Sequence, residues 1–146
     1  MENKPKEYSK AEILGVYEVN PPRGAFVVLL EGEDWNGYVL PIMIGMPEAS
    51  AIQAALEGYI AERPMTHDLI MSMLGALGVT IEKVTIDALI NNVFTATIVL
   101  NESGKSIYVD ARPSDSIALA LRANAPIFVA RRLIKNAIPK DAVELD

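Results

Sequence analysis

The stretch VTIEKVTIDALINNVFTATIVL, residues 79–100, decides the fold class. Its centre is Asn91-Asn92, a pair that tolerates the positive φ a two-residue hairpin turn demands. After the turn, Phe94, Ala96, Ile98 and Leu100 alternate with Val93, Thr95, Thr97 and Val99. A period of two puts the first set on a buried sheet face. Downstream, NESG (101–104) turns the chain again into KSIYVDAR (105–112), giving a block of three strands. An earlier block has the same form: EILGVYEV (12–19), the break NPPRG (20–24), AFVVLL (25–30), the loop EGEDWNG (31–37) and YVLPIMIG (38–45). Pro41 in the last of these marks an edge or a bulge, because proline has no N–H to give a ladder. Strands that arrive in hairpin-linked blocks mean an α+β fold with mostly antiparallel pairing.

Three helices separate or follow the blocks. The first, over residues 47–61, begins at Pro47, with Glu48 near its positive end and Ala49, Ile52, Leu56, Tyr59 and Ile60 as an apolar stripe. The second, over 67–77, has Thr66 as its cap, Asp68 in the first turn and Gly78 past its end. Leu69, Ile70, Met73, Leu74 and Leu77 are its core-facing residues. The third runs from Pro113 to about Asn124, before Pro126. IFVA (127–130) reads as a short strand and RRLIKNA (131–137) as a short helix.

The chain has 146 residues, 51% of them hydrophobic and 22% charged, which suits one globular domain over 11–146 after a leader at 1–10. It contains no cysteine, so disulfides and thiolate metal sites are excluded. The charged start MENKPKEYSKAE lacks the apolar core of a signal peptide, and no run reaches the roughly 20 apolar residues of a membrane span. The expected location is the cytoplasm. A net charge of −6 opposes tight nonspecific binding to duplex DNA. A mean hydropathy of +0.23 predicts self-association, as a dimer or trimer, through exposed apolar surface.

Two charged junctions stand out: DARPSDSIALALR (110–122) and ERPMTHDLI (62–70). Each has an Arg-Pro step, a hydroxyl residue and an aspartate before an aliphatic run. Asp115 and Asp68 fall in first helical turns, where free N–H groups attract carboxylates, so capping and ion pairing are their plain structural reading. Asp110 lies too early to cap, and residues two apart on a strand put Tyr108, Asp110 and Arg112 on one face. If the junctions meet, His67, Asp68, Asp110 and Asp115 form a catalytic cluster, with Asp68, Asp110 and Asp115 as ligands for Mg²⁺ or Mn²⁺. Arg63, Arg112 and Ser114 would then contact a phosphate. The alternative is a non-enzymatic ligand-binding or assembly domain, in which these charges are an ion-pair lock. No P-loop, H-E-x-x-H, G-x-S-x-G or Rossmann fingerprint is present.

The segments LPIMIGMPEASAIQAALEG, RPMTHDLI, DARPSDSIALALR and PIFVA, in that order, resemble the bifunctional nuclease family over roughly residues 12–139. The motif positions are Glu48, Arg63, Pro64, Thr66, His67, Asp68, Asp110, Arg112, Pro113, Ser114, Asp115 and Arg122. The resemblance implies cleavage of RNA and DNA, with nucleic acid as the partner.

Overall fold

A computed structural model of the chain describes residues 7–19 and 25–143. The NPPRG break and the first six positions of the expected leader lie outside the described residues. The first block of strands is β1 (Tyr8–Glu18), β2 (Ala25–Gly32) and β3 (Tyr38–Gly45). Helices α1 (Met46–Glu57) and α2 (Thr66–Ala76) follow. The second block is β4 (Thr80–Ile90), β5 (Val93–Glu102) and β6 (Lys105–Ala111), then α3 (Pro113–Ala123) and β7 (Ile127–Ala130). A 3₁₀ segment, Arg131–Asn136, stands where a short helix was expected, and β8 (Ile138–Pro139) comes after it.

The strands join in one sheet of order β6-β5-β4-β7-β1-β2-β3-β8. Neighbours pair antiparallel except β4 and β7, which are parallel. The fold is therefore α+β, as the hairpin at residues 91–92 predicts. Both turn residues take positive φ, 52° at Asn91 and 63° at Asn92. Pro41 sits beside an edge, because β8 pairs only with Tyr38 and Val39. Its missing N–H costs no ladder bond there.

Tyr8, Ser9 and Lys10 belong to β1 and pair with β7, so the strand starts before the expected end of the leader. Ser9 is buried, and its hydroxyl accepts hydrogen bonds from Trp35 Nε1 and Arg131 Nε, both at 3.2 Å. Trp35 itself is only 2% exposed and covers Gly32 so closely that a Cβ there would lie 2.4 Å from its ring.

The inner sheet face carries the main core. Val84 and Ile86 of β4, and Ala96 and Ile98 of β5, pack with Ile52 of α1 and Ile117 of α3. The predicted alternation of β5 holds, with Phe94 and Leu100 partly buried against this cluster. α3 is the central helix: Ile117, Ala118, Leu119 and Ala120 are buried, and α1 and α2 both pack on it. On the outer face, Val27, Leu29 and Val39 form a smaller cluster under Ile138 and Val143. That cluster covers the β2–β3 half of the sheet. The β4–β5 half shows Thr85, Asp87 and Thr97 instead.

Two helix faces differ from the sequence reading. α1 ends at Glu57, so Tyr59 and Ile60 lie beyond it and are exposed. In α2, Ile70, Met71 and Leu74 pack on the core, while Leu69, Met73 and Leu77 are exposed. The reason is polar. His67 is buried, and with Ile70, Met71 and Leu74 it marks one helical face at spacings of three and four. Both possible faces were apolar, and His67 chose between them.

Candidate active site

The two charged junctions do meet. β6 ends at Ala111, and Arg112 precedes α3 in extended conformation, φ −73° and ψ 148°. Pro113 is the first helical residue, pre-set in φ for that position. Asp115, in the first turn, then takes two partners. Its Oδ2 accepts from Arg112 Nε at 2.9 Å, and its Oδ1 lies 2.9 Å from His67 Nε2. Arg112 Nη2 adds a weaker bond to Oδ1 at 3.3 Å. Arg112 Nη1 also faces Glu48 Oε2 of α1 at 3.6 Å. The N-terminal turns of all three helices thus converge on one guanidinium and one carboxylate.

Burial tends to raise the Asp115 pKa, but hydrogen bonds from Arg112 and His67 prevail and hold it below the usual carboxylate range. An ionised carboxylate can only accept, so His67 donates from Nε2, and in the neutral ring the lone pair is then on Nδ1. The Arg112 guanidinium is in turn pushed up by its bond to Asp115. Its side chain is 63% exposed, and five N–H donors exceed what its two carboxylate partners use. Arg112, Glu48 and Ser114 line a cavity of about 410 Å³ with Gly45, Asn92 and Phe94. Ser114 is buried in its wall.

Asp68 goes elsewhere. Its Oδ1 accepts from Arg122 Nε at 2.9 Å, across α2 and α3, and its Oδ2 accepts the Met65 backbone N–H at 3.1 Å. Met65, not Thr66, is the cap residue, and Thr66 is the first residue of the helix. Arg122 is 11% exposed and also donates to the Ala118 carbonyl at 2.9 Å. That hydrogen bond to Arg122 is the chief cause of an Asp68 pKa below the ordinary 3.8.

Asp110 does not join them. It pairs with Thr97, as Ala111 pairs with Ala96. Directly opposed residues share a face. Ala96 belongs to the inner core, while the Thr97 hydroxyl bonds Asp87 on the outer side. Asp110 is therefore on the outer face, exposed, with the sheet between it and the His67–Asp115 pair. Arg112 escapes this parity because the chain has left the strand before reaching it. Arg63 is exposed in the loop between α1 and α2, outside the contacts just described.

The expected Mg²⁺ or Mn²⁺ ligands Asp68, Asp110 and Asp115 are consequently not gathered. Among the described residues, no group of three or more His, Asp or Glu could hold one ion. Two of the three carboxylates are spent on arginine, histidine or backbone N–H groups. The residues do not fit that ligand set, and no step is assigned to a metal.

Glu48, placed by the sequence at a helix start, and Arg122, given there only as a motif position, complete the two ion-pair systems. The signal for both was their place in the family motif.

Fold and site define a small α+β protein with a histidine–carboxylate–arginine constellation at converging helix N-termini. Residues 27–141 match the bifunctional nuclease domain, and the chain belongs to that family. An uncharacterized protein of Mycobacterium tuberculosis is 37% identical over 138 residues, covering 92% of this chain and 81% of its own. Bifunctional nuclease 2 of Oryza sativa subsp. japonica is 30% identical over 109 residues, 73% of this chain and 34% of the rice protein. Bifunctional nuclease 1 of Arabidopsis thaliana is 27% identical over 109 residues, with the same two coverages of 73% and 34%. The chain spans about a third of the length of these plant proteins.

The Asp68–Arg122 bond sets an acid-side stability test. A carboxyl with a lowered folded pKa stabilises fully above its unfolded pKa, and the effect is lost as pH falls through the folded value. Asp68→Asn should cost about 1–3 kcal/mol at neutral pH, since it leaves the Arg122 guanidinium without its anionic partner. Urea titrations should show this deficit at pH 7 and show it closing below the ordinary 3.8. A deficit independent of pH would assign the loss to packing and not to the ion pair.

Proposed function

We propose that the chain is a nuclease that hydrolyses phosphodiester bonds of RNA, DNA or both, with His67 as general base. The observation that carries this reading is the 2.9 Å hydrogen bond from His67 to Asp115, closed on its other oxygen by Arg112. Asp115 fixes the tautomer and offsets the positive charge that His67 gains, the role of the carboxylate in acid–base triads generally. Nδ1 takes a proton from water as the water oxygen attacks phosphorus. The P–O bond to the leaving oxygen breaks, and that oxygen is protonated from solvent. Arg112, at the cavity wall, holds the non-bridging oxygens by charge and by its planar fork. Ser114 lines the same wall, and Asp68 sets the pose of α2 through Arg122. Membership of the bifunctional nuclease family, and relatives in rice and Arabidopsis that bear that name, support the same chemistry.

One observation favours the other reading, an assembly or ligand-binding domain: the carboxylates of Asp68 and Asp115 are both already held by arginines, Arg122 and Arg112. Cleavage of single-stranded RNA by the purified chain separates the two. His67→Ala should lower the rate by about 10²- to 10⁴-fold, the usual weight of a positioned general base. Cleavage should survive EDTA, because the proposed base needs no ion. Equal rates for wild type and His67→Ala would assign the activity to a contaminant.

We further propose that the chain forms a homo-oligomer through α2. Leu69, Met73 and Leu77 are 52%, 56% and 72% exposed, and they form one ridge at spacings of four. Among the described residues no helix is long and apolar enough to cross a membrane, so this ridge is not part of a spanning helix. Light scattering should give a multiple of 15.9 kDa, and Met73→Glu should reduce it to one chain. A wild-type mass of one chain at micromolar concentration would contradict this.

A further inference from the structure

The β4–β6 half of the outer face holds a built polar groove that the reaction above does not use. Its floor is Asp87. Oδ1 accepts from Tyr8 Oη at 2.8 Å and Thr85 Oγ1 at 2.7 Å, and Oδ2 accepts from Thr97 Oγ1 at 2.7 Å. Arg132 Nε donates to the Asp87 carbonyl at 2.8 Å, which fixes the guanidinium on the groove wall. Lys83 lies over the Phe128 ring, 5.8 Å from its centre. Tyr108 of β6 is 70% exposed and lines the same groove of about 740 Å³.

Three features together call for a ligand. The first is order: three hydroxyls from three strands are fixed on one carboxylate under an open surface. Burial, then the bond to Asp87, pushes the Tyr8 phenol up to about 12, so the network keeps its protons across the neutral range. The second is charge. The chain has a net charge of −6, yet the walls carry two cations, Lys83 and Arg132, against one wall carboxylate, Glu7. The Asp87 carboxylate is taken up by the three hydroxyls. The third is the exposed Tyr108 ring, a stacking surface that the core does not need. Cations beside an aromatic platform on a helix-free sheet suit a single strand, whose bases are free to stack.

We propose that this groove binds single-stranded nucleic acid, with a base stacked on Tyr108 and backbone phosphates on Lys83 and Arg132. The proposal rests on the nuclease reading and names how its substrate is held. Tyr108 is four residues before Arg112. At about 3.3 Å per strand residue the two are about 13 Å apart, a span that a few nucleotides cover. A strand lying on Tyr108 would thus pass the end of β6 to reach Arg112.

The test is fluorescence anisotropy with a labelled single-stranded RNA of about ten nucleotides, a length within known single-strand site sizes. Tyr108→Ala should weaken binding roughly 5- to 100-fold, the loss that follows removal of one base–aromatic stack. Lys83→Gln should weaken it and lower the salt dependence by about 0.7 in the log–log slope, one phosphate contact on a single strand. Affinity within twofold of wild type in both variants overturns the proposal, as does a wild type that fails to bind at low salt. A change in oligomeric mass instead of affinity also overturns it and assigns the face to a second copy. Anisotropy reads the groove separately from catalysis. If groove variants lose binding while no RNA is cut, the groove stands and the nuclease reading falls. If RNA is cut and binding is untouched, the reverse holds.

Discussion

One carboxylate holds the functional end of this molecule together. Asp115 accepts from His67 on α2 and from Arg112 ahead of α3, and Arg112 also faces Glu48 on α1. Without such contacts three helix N-termini would point positive ends at one another. Acidic residues in all three first turns offset that repulsion: Glu48, Asp68 and Asp115. α2 depends on this most. It buries a narrow face, and the bonds from His67 to Asp115 and from Asp68 to Arg122 fix its rotation on α3.

The alternation of β6 then separates two environments within a few residues. Ala111 faces the core, while Tyr108 and Asp110 face outward. The chain turns at Arg112 and carries its charge to the helix side. An acidic protein thereby collects cationic groups at two small places, Arg112 in one and Lys83 with Arg132 in the other, without a basic surface overall.

Much of the fold was legible because its signals are local. Asn91-Asn92 and the alternation of Phe94, Ala96, Ile98 and Leu100 identify the hairpin, and Pro47, Gly78 and Pro113 bound the helices. The meeting of His67 with Asp115 was legible only as a repeated grammar at two junctions. What failed was direction. Leu69, Met73 and Leu77 suit a buried face as well as Ile70 and Leu74 do, and only the partner of His67 decides. Strand parity put Asp110 and Arg112 on one side, but parity ends where the helix begins. The Asp87 network gave no signal, because Tyr8, Thr85 and Thr97 come from three strands and are 79, 2 and 10 residues from Asp87.

The central claim is that Asp115 fixes His67 with its proton on Nε2 and its lone pair on Nδ1. The chain has one histidine, so ¹⁵N NMR of the imidazole reads that ring without assignment. The neutral ring should show the Nε2–H tautomer in the wild type and a mixture of tautomers in Asp115→Ala. An Nδ1–H ring in the wild type, or a spectrum unchanged by Asp115→Ala, would contradict it.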